Sequence, residues 1–269
     1  MKIHGTAKGG ALSTKDFGVA FSTAAGNGWT DFDELKFYAK WDESSPSNIV
    51  NQATSVGSSD SLGNDVDIVI TGATYGETGI IAEALSFDGT NDYGELGDDD
   101  TRADWAFFHG TGDWSINFWI NLTAYNNEAR LFSNLGGTET SGIKLRLGGT
   151  TGSLGIAVWN DSNQAMANGE ISLSTAFPTS TWTMITWTCD YSDASNCYEL
   201  FIDGESQGTK ARSYVGGTGT PEVTLKTMTK GTALGNFING LQDETSIWQR
   251  LLTDDEITEL YNSGAALAL

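Results

Sequence analysis

Apolar side chains in this chain recur at every second position over short runs, and the runs are separated by turn residues, which is the pattern of extended strands. "ELKFYAKW" (Glu34–Trp41) alternates in this way, and "DVDIVITGA" (Asp65–Ala73) puts Val66, Ile68 and Ile70 on one face. "ALSFDGTNDYGELGD" (Ala84–Asp98) reads as two short strands around a turn at Gly89–Asn91, residue types that tolerate tight backbone bends. Next come "WSINFWINLT" (Trp114–Thr123), "ARLFSNLG", "GIKLRLGG" and "LGIAVWND" (Leu154–Asp161). "TWTMITWTCDYS" and "CYELFIDGESQG" form a hairpin, and "VTLKTM", "GTALGNFI" and "GLQDETSIWQRLL" complete the series. Strands at such short, regular spacing predict an all-β antiparallel sandwich.

One helix is signalled, near the C-terminus. In "LLTDDEITELYNSG", Thr253 is an N-cap with Glu256 at the third helical position, a complete capping box. Asp254 and Asp255 suit the positive end of the helix dipole, Ile257, Leu260 and Tyr261 form a buried stripe, and Asn262–Gly264 supplies the stop. A helix this short persists only against the sheets.

Composition narrows the function classes. The 269 residues include 33 Gly and only 3 Pro, as many tight turns require, and 9 Trp with 12 Phe supply a substantial core. With 14 Lys and Arg against 35 Asp and Glu, the formal net charge is −21. Such a chain repels phosphate backbones and anionic bilayers, so neither nucleic acid nor membrane insertion is expected, whereas solubility in salt water and Ca²⁺ both suit carboxylates. The first residues lack the continuous apolar stretch of a signal peptide. Residues 1–28 read as a basic, Gly- and Ala-rich arm or linker, and residues 29–269 as the sandwich.

Cys189 and Cys197 are the two cysteines. If the hairpin centres on Asp193, Cys189 faces Cys197, Trp187 faces Glu199 and Ile185 faces Phe201, which brings the sulfurs within disulfide range. A disulfide implies an oxidising milieu, and the other reading is two half-buried thiols.

The order of these motifs resembles the LamG-like jelly-roll family, within the concanavalin A-like lectin/glucanase superfamily. "FYAKWDESS" is similar to its opening strand and "GIIAEALSFDGTNDYGELGD" to its most distinctive segment. The central strands and the closing strand with its helix match as well, so the likeness spans about Leu35–Gly264. The resemblance implies two antiparallel sheets, one concave, with first and last strands side by side. It implies little about chemistry, because this fold hosts lectins, hydrolases, lyases, adhesins and spacers. In the family Ca²⁺ is often held near the sheet rim by an Asp of the closing strand. Asp243 matches that position and Asp88 with Asn91 would lie nearby, while the competing role for Asp243 is to bond backbone amides.

Catalytic patterns of the relatives do not appear. Laminarinase-like members carry Glu-x-Asp-x-x-Glu on one strand, and the nearest candidates here, Asp243 and Glu244, are adjacent, hence expected on opposite faces. Lyase or serine chemistry needs a histidine beside its partners, and His4 and His109 lie outside strand patterns. No catalytic residue is assigned. Sugar binding asks for an exposed aromatic plane beside amides and carboxylates, which points to Trp159 with Asn160, Asp161 and Asn163, and to Trp105 and Tyr125 in other loops. The reading is a surface-exposed binding module for a glycan or host receptor, on a virion or cell surface that cell lysis or dedicated machinery reaches without a signal peptide. Two alternatives stand beside it: a self-assembling structural subunit, as homo-oligomer or virion component through residues 1–28, and a divergent lyase or glycoside hydrolase.

Overall fold

The computed structural model of the chain describes residues 32–44, 47–135, 140–229 and 235–269. The arm expected at residues 1–28, with any assembly through it, and much of "GTALGNFI" lie outside these. In chain order the strands are β1 (Leu35–Ala39), β2 (Ile68–Thr71), β3 (Thr74–Thr78), β4 (Glu83–Asp88) and β5 (Tyr93–Leu96). There follow β6 (Trp114–Ala124), β7 (Arg130–Ser133), β8 (Gly142–Leu147), β9 (Ser153–Trp159) and β10 (Ala165–Ser172). The series closes with β11 (Trp182–Cys189), β12 (Tyr198–Ile202), β13 (Glu205–Lys210), β14 (Leu225–Thr227) and β15 (Asn239–Trp248). Helix α1 (Asp254–Tyr261) is the one α-helix among the described residues and follows β15.

Two antiparallel sheets result. The first runs β13-β12-β11-β6-β15-β4-β3, with β1 also paired to β15, and the second runs β10-β9-β8-β7-β14-β5-β2. The strands on either side of Gly89–Asn91 therefore belong to opposite layers, and the turn between them is a crossover. β3 and β10 carry no clean alternation in the sequence; they form because β4 and β9 offer them open edges.

Alternation fills the space between the layers. Along β6, Trp114, Ile116, Phe118, Ile120 and Leu122 all enter the inter-sheet core. Phe118 meets Phe132 of the facing sheet edge-on at 5.0 Å, and Trp114 meets Trp187 at 4.8 Å, geometries that add to the area term. The intervening residues of the first sheet, Trp119, Met184 and Phe201, form a second apolar cluster on its outer face. Helix α1 and the C-terminal tail cover that cluster, burying Ile257, Leu260 and Leu267 there, and Tyr261 stacks on Trp119 at 5.8 Å. The capping box on Thr253 and Glu256 is present as expected, and Asn262 ends the helix in the left-handed region.

β15 is the strand on which both halves of the first sheet depend. It pairs with β6 along one side, but on the other side its first half pairs with β4 and its second half with β1. The handover is a bulge, with Glu244 at φ 43°. Asp243 fills the gap: one carboxylate oxygen accepts from the amides of Ile80 (2.8 Å) and Ile81 (3.1 Å), the other from Glu244 N–H (2.8 Å). The bulge also corrects the expectation that adjacent Asp243 and Glu244 point apart. Asp243 lies opposite Trp119 and Glu244 accepts from Tyr38 Oη at 2.6 Å, so both belong to the outer face. Burial pushes Asp243 up to about 8, against its three amide donors, and pushes Glu244 up to about 7.

The β11–β12 hairpin pairs one residue away from the expected register. Cys189 lies opposite Tyr198, Trp187 opposite Leu200 and Ile185 opposite Ile202. The reason is burial: this register sends Tyr198 and Leu200 into the core, whereas the expected one would have set Glu199 against Trp187 there. Cys189 and Cys197 are free, buried thiols with sulfurs 3.4 Å apart, which corrects the expected disulfide.

Two outcomes follow from the seam and the cap. A carboxyl held near 7 when folded and near 4.5 when unfolded keeps its proton only in the folded state between those values, so stability falls as pH rises through that window. Glu244 contributes a loss of about 3 kcal/mol between about pH 4.5 and 7; Glu244→Gln, which keeps the acceptor for Tyr38, removes that part of the slope in thermal melts recorded across the range and leaves the part due to Asp243. Thr253→Ala removes the cap and costs about 1 kcal/mol, read as a lowered denaturant midpoint at unchanged m-value.

Candidate functional site

Four connections meet at one end of the sandwich: residues 109–113, 160–164, 190–197 and 211–222. The β9–β10 turn is built by Asn160, whose side-chain oxygen accepts from the amides of Ser162 (3.1 Å) and Gln164 (3.0 Å). Its amide nitrogen donates to Val215 O at 2.9 Å, tying this turn to the long β13–β14 loop. Asp161 accepts from Gly219 N–H at 2.9 Å and Thr218 N–H at 3.2 Å. Asn163, at φ 58°, sits exposed at the turn's tip.

The same loop is held from two further sides. His109 Nε2 donates to Gly219 O at 2.9 Å and its own carbonyl accepts from Gly217 N–H at 2.8 Å. Tyr191 Oη accepts from Gly216 N–H at 3.0 Å, and the Arg212 guanidinium lies 4.0 Å from the Tyr191 ring centre. Gly216 and Gly217 are needed for the fit: a Cβ at Gly216 would stand 1.8 Å from Gly110 O, and one at Gly217 would stand 2.4 Å from an Asp161 carboxylate oxygen. A loop fastened in this way leaves Tyr214 46% and Val215 67% exposed, Val215 being the most exposed of the large apolar side chains described. His109 is fully buried and desolvation lowers its pKa, so at neutral pH it is an uncharged brace for the loop. The rim's polar groups are bonded chiefly to main chain, an arrangement that holds a contact surface steady.

The structure separates the side chains that the sequence proposes for a ligand. Trp159, Asn160, Asp161 and Asn163 do share the rim, and Trp159 follows core-facing Val158, so it turns to the outer face of the second sheet, half-buried. Its indole Nε1 is buried without a hydrogen-bond partner among the described residues. Trp105 is not an exposed plane. It lies in a 3-10 helix, Arg102–His109, where Trp105 and Phe108, three apart, point the same way into the core and stack at 5.9 Å. Tyr125 belongs to the opposite end: its hydroxyl donates to Thr150 O at 2.6 Å, in the turn before β9, about 20 Å of strand away from Trp159.

Asp243, Asp88 and Asn91 do not form one centre either. Asp88 lies opposite Asn239, four residues along β15 from Asp243, a separation of about 13 Å. Its carboxylate accepts from Thr90 N–H in its own turn, and Asp243 has the amide-binding role described above. Among the described residues no three acidic, histidine or cysteine side chains gather closely enough to hold a metal ion. Nor does any described helix have the length and apolar character to cross a membrane. Tyr214 and Val215 escaped the sequence reading because "SYVGGTGTP" has neither period; the signal available was an aromatic residue followed by a glycine-rich run.

Comparison with known proteins agrees with this architecture. No curated protein sequence matches the chain. Domain 4 of the extracellular arabinanase AbnA from Geobacillus stearothermophilus, solved with arabinotriose, superimposes with a TM-score of 0.60 at 16% identity, over 84% of this chain and 97% of that domain. The binding domain of Paraclostridial Mosquitocidal Protein 1 gives 0.60 at 18% identity over 86% of this chain, and the receptor binding domain of botulinum neurotoxin mosaic serotype C/D gives 0.60 at 14% over 86%. The chain spans about half of those two binding domains, 52% and 51%. A laminin G-type family model, described as concanavalin A-like lectin/glucanases superfamily, matches residues 88–258. With its paired sheets and its matched closing strand, the chain belongs to the concanavalin A-like lectin/glucanases superfamily.

Proposed function

We propose that this chain is a non-catalytic binding module that presents the rim of residues 159–163 and 211–219 to a surface glycan. The observation that carries the reading is the fastened β13–β14 loop, which holds Tyr214 and Val215 exposed and is tied through Val215 O to the Asn160 turn that follows the half-buried Trp159. An aromatic face set among amides and carboxylates is what a sugar ring's C–H and hydroxyl faces require. The AbnA domain, of the same fold, is solved in complex with arabinotriose, and the mosquitocidal-protein and neurotoxin relatives are binding domains. The most conspicuous acid pair, Asp243 and Glu244, is 0% and 4% exposed beneath the 79–82 loop and the C-terminal tail, a placement that suits a structural role better than attack on a polysaccharide. Recognition of this kind belongs on a virion or cell surface exposed to the host or the medium.

Glycan-array binding followed by titration of the best oligosaccharide tests the proposal. Tyr214→Ala weakens that binding about tenfold, as loss of one aromatic contact would, with the melting temperature held because the side chain is exposed. Trp159→Ala weakens it as well. Uniform silence on arrays, or full affinity in both variants, overturns the reading in favour of a protein receptor or a purely structural subunit.

A further inference from the structure

On the outer face of the first sheet, between the β11–β12 hairpin and the segment leading into α1, lies a cavity of about 190 Å³. It adjoins the loop end through the β11–β12 connection and opens on the opposite side of that connection from the Tyr191 hydroxyl's bond to Gly216, with none of the side chains proposed for the rim's contact in its lining. Its floor is the cross-strand pair Thr188 and Glu199, and the hairpin tip supplies Asp190, Asp193 and Asn196. Phe201, Leu251 and Leu252 make an apolar wall, and Thr253 with Asp254 closes the far side.

The lining has a definite chemical character. Four carboxylates border it and, among the described residues, no lysine or arginine does. Two arginines lie close by: Arg212, stacked over the Tyr191 ring, also acts on the Cys197 thiol in the cavity wall, and Arg250 pairs with Glu256 at 2.7 Å. Asp193 is held below the usual carboxylate range by the Asn196 side chain and the turn amides, so it is ionised. Asp190 is bound to its own turn through Ser192, and Glu199 accepts from Ser206 through one oxygen. At the floor Thr188 is 2% exposed, and its hydroxyl, lining the cavity, makes no hydrogen bond to any described residue. A hydroxyl that opens only into the cavity is free to bond a ligand hydroxyl there.

Size and spacing select the ligand. The cavity is smaller than the roughly 300–1,000 Å³ typical of sites for drug-sized molecules, so it suits one small unit. Its carboxylates do not converge tightly enough to ligate a bare metal ion; they are spread around the space, as the several N–H donors of an ammonium group require. Thr188, Asn196 and Thr253 suit ligand hydroxyls, and the Phe201–Leu251–Leu252 wall suits a C–H face. We propose that this cavity binds a small hydroxylated amine of amino-sugar chemistry, with the ammonium held between Glu199 and the acidic hairpin tip and a hydroxyl bonded to Thr188. The site stands whether or not the rim takes a glycan, because it shares none of the rim's contact side chains.

Titration of the full chain with glucosamine, followed by amide chemical shifts at low ionic strength, tests it. Shifts are expected at Thr188, Glu199 and residues 251–254. Glu199→Gln and Thr188→Val should each weaken glucosamine at least fivefold. N-acetylglucosamine, which lacks the charge, and putrescine, which lacks the hydroxyls, should bind at least fivefold more weakly than glucosamine. Glu77→Gln, an exposed carboxylate on the far edge strand β3, controls for the overall −21 charge and should leave the affinity unchanged. The proposal is overturned if shifts are absent at these residues, if either comparison ligand matches glucosamine, if both cavity variants retain full affinity, or if Glu77→Gln weakens binding as much as Glu199→Gln.

Discussion

The architecture depends on the way β15 changes partners at Asp243. A single strand gives its first half to β4 and its second half to β1, and at the handover the ladder has amides with no opposing strand. The Asp243 carboxylate takes up the Glu244 amide there together with those of Ile80 and Ile81 in the β3–β4 turn, and such donors are costly to leave unmade. The side chains next to it extend the seam into both layers. Trp41 Nε1 donates to Thr245 at 3.0 Å on one side, and on the other Gln242 accepts from Thr227 of the second sheet at 2.7 Å. A polar line through the middle of an apolar sandwich fixes register where hydrophobic packing alone would tolerate a slip.

The same bulge decides which surfaces are left for function. By turning Glu244 towards Tyr38, it creates a polar spot on the outer face, and the C-terminal tail returns to satisfy it: Leu269 N–H donates to Tyr38 Oη at 3.2 Å. With α1 and the tail lying on Trp119, Met184 and Trp248, much of the outer face of the first sheet serves as a second core. What remains accessible is the loop end, with its fastened aromatic tip, and the acidic cavity where the hairpin overhangs the start of α1. Both are formed by connections whose backbones are pinned by side chains, so ligand contact there requires little ordering of the protein.

How much of this was legible in the residues varies with how local the cause is. The capping box of Thr253 and Glu256 is a four-residue event, and it formed as written. The alternation of β6 fixed its inward face from Trp114 to Leu122 for the same reason. The hairpin register was recoverable too, since the expected pairing would have sent Glu199 inward opposite Trp187 and the observed one sends Leu200. Trp105 was misjudged as a loop aromatic because a short 3-10 segment leaves no alternation, yet its spacing to Phe108 already placed the two rings on one side.

Composition, alternation and capping determined by themselves that the chain makes two stacked antiparallel layers closed by a short helix, because each of those signals acts between residues close in sequence. They could not determine which layer each strand joins. β4 and β5, four residues apart, go to different sheets because β4 is claimed by β15 and β5 by β14, partners more than a hundred residues away. Nor could they foretell that Asp243 and Glu244 share one face, since the bulge that joins them exists only where β1 and β4 meet the same strand. The exposed Tyr214 and the cavity beside Thr188 were decided by tertiary structure for the same reason: each is a space left between segments distant in the chain, and no local pattern encodes it.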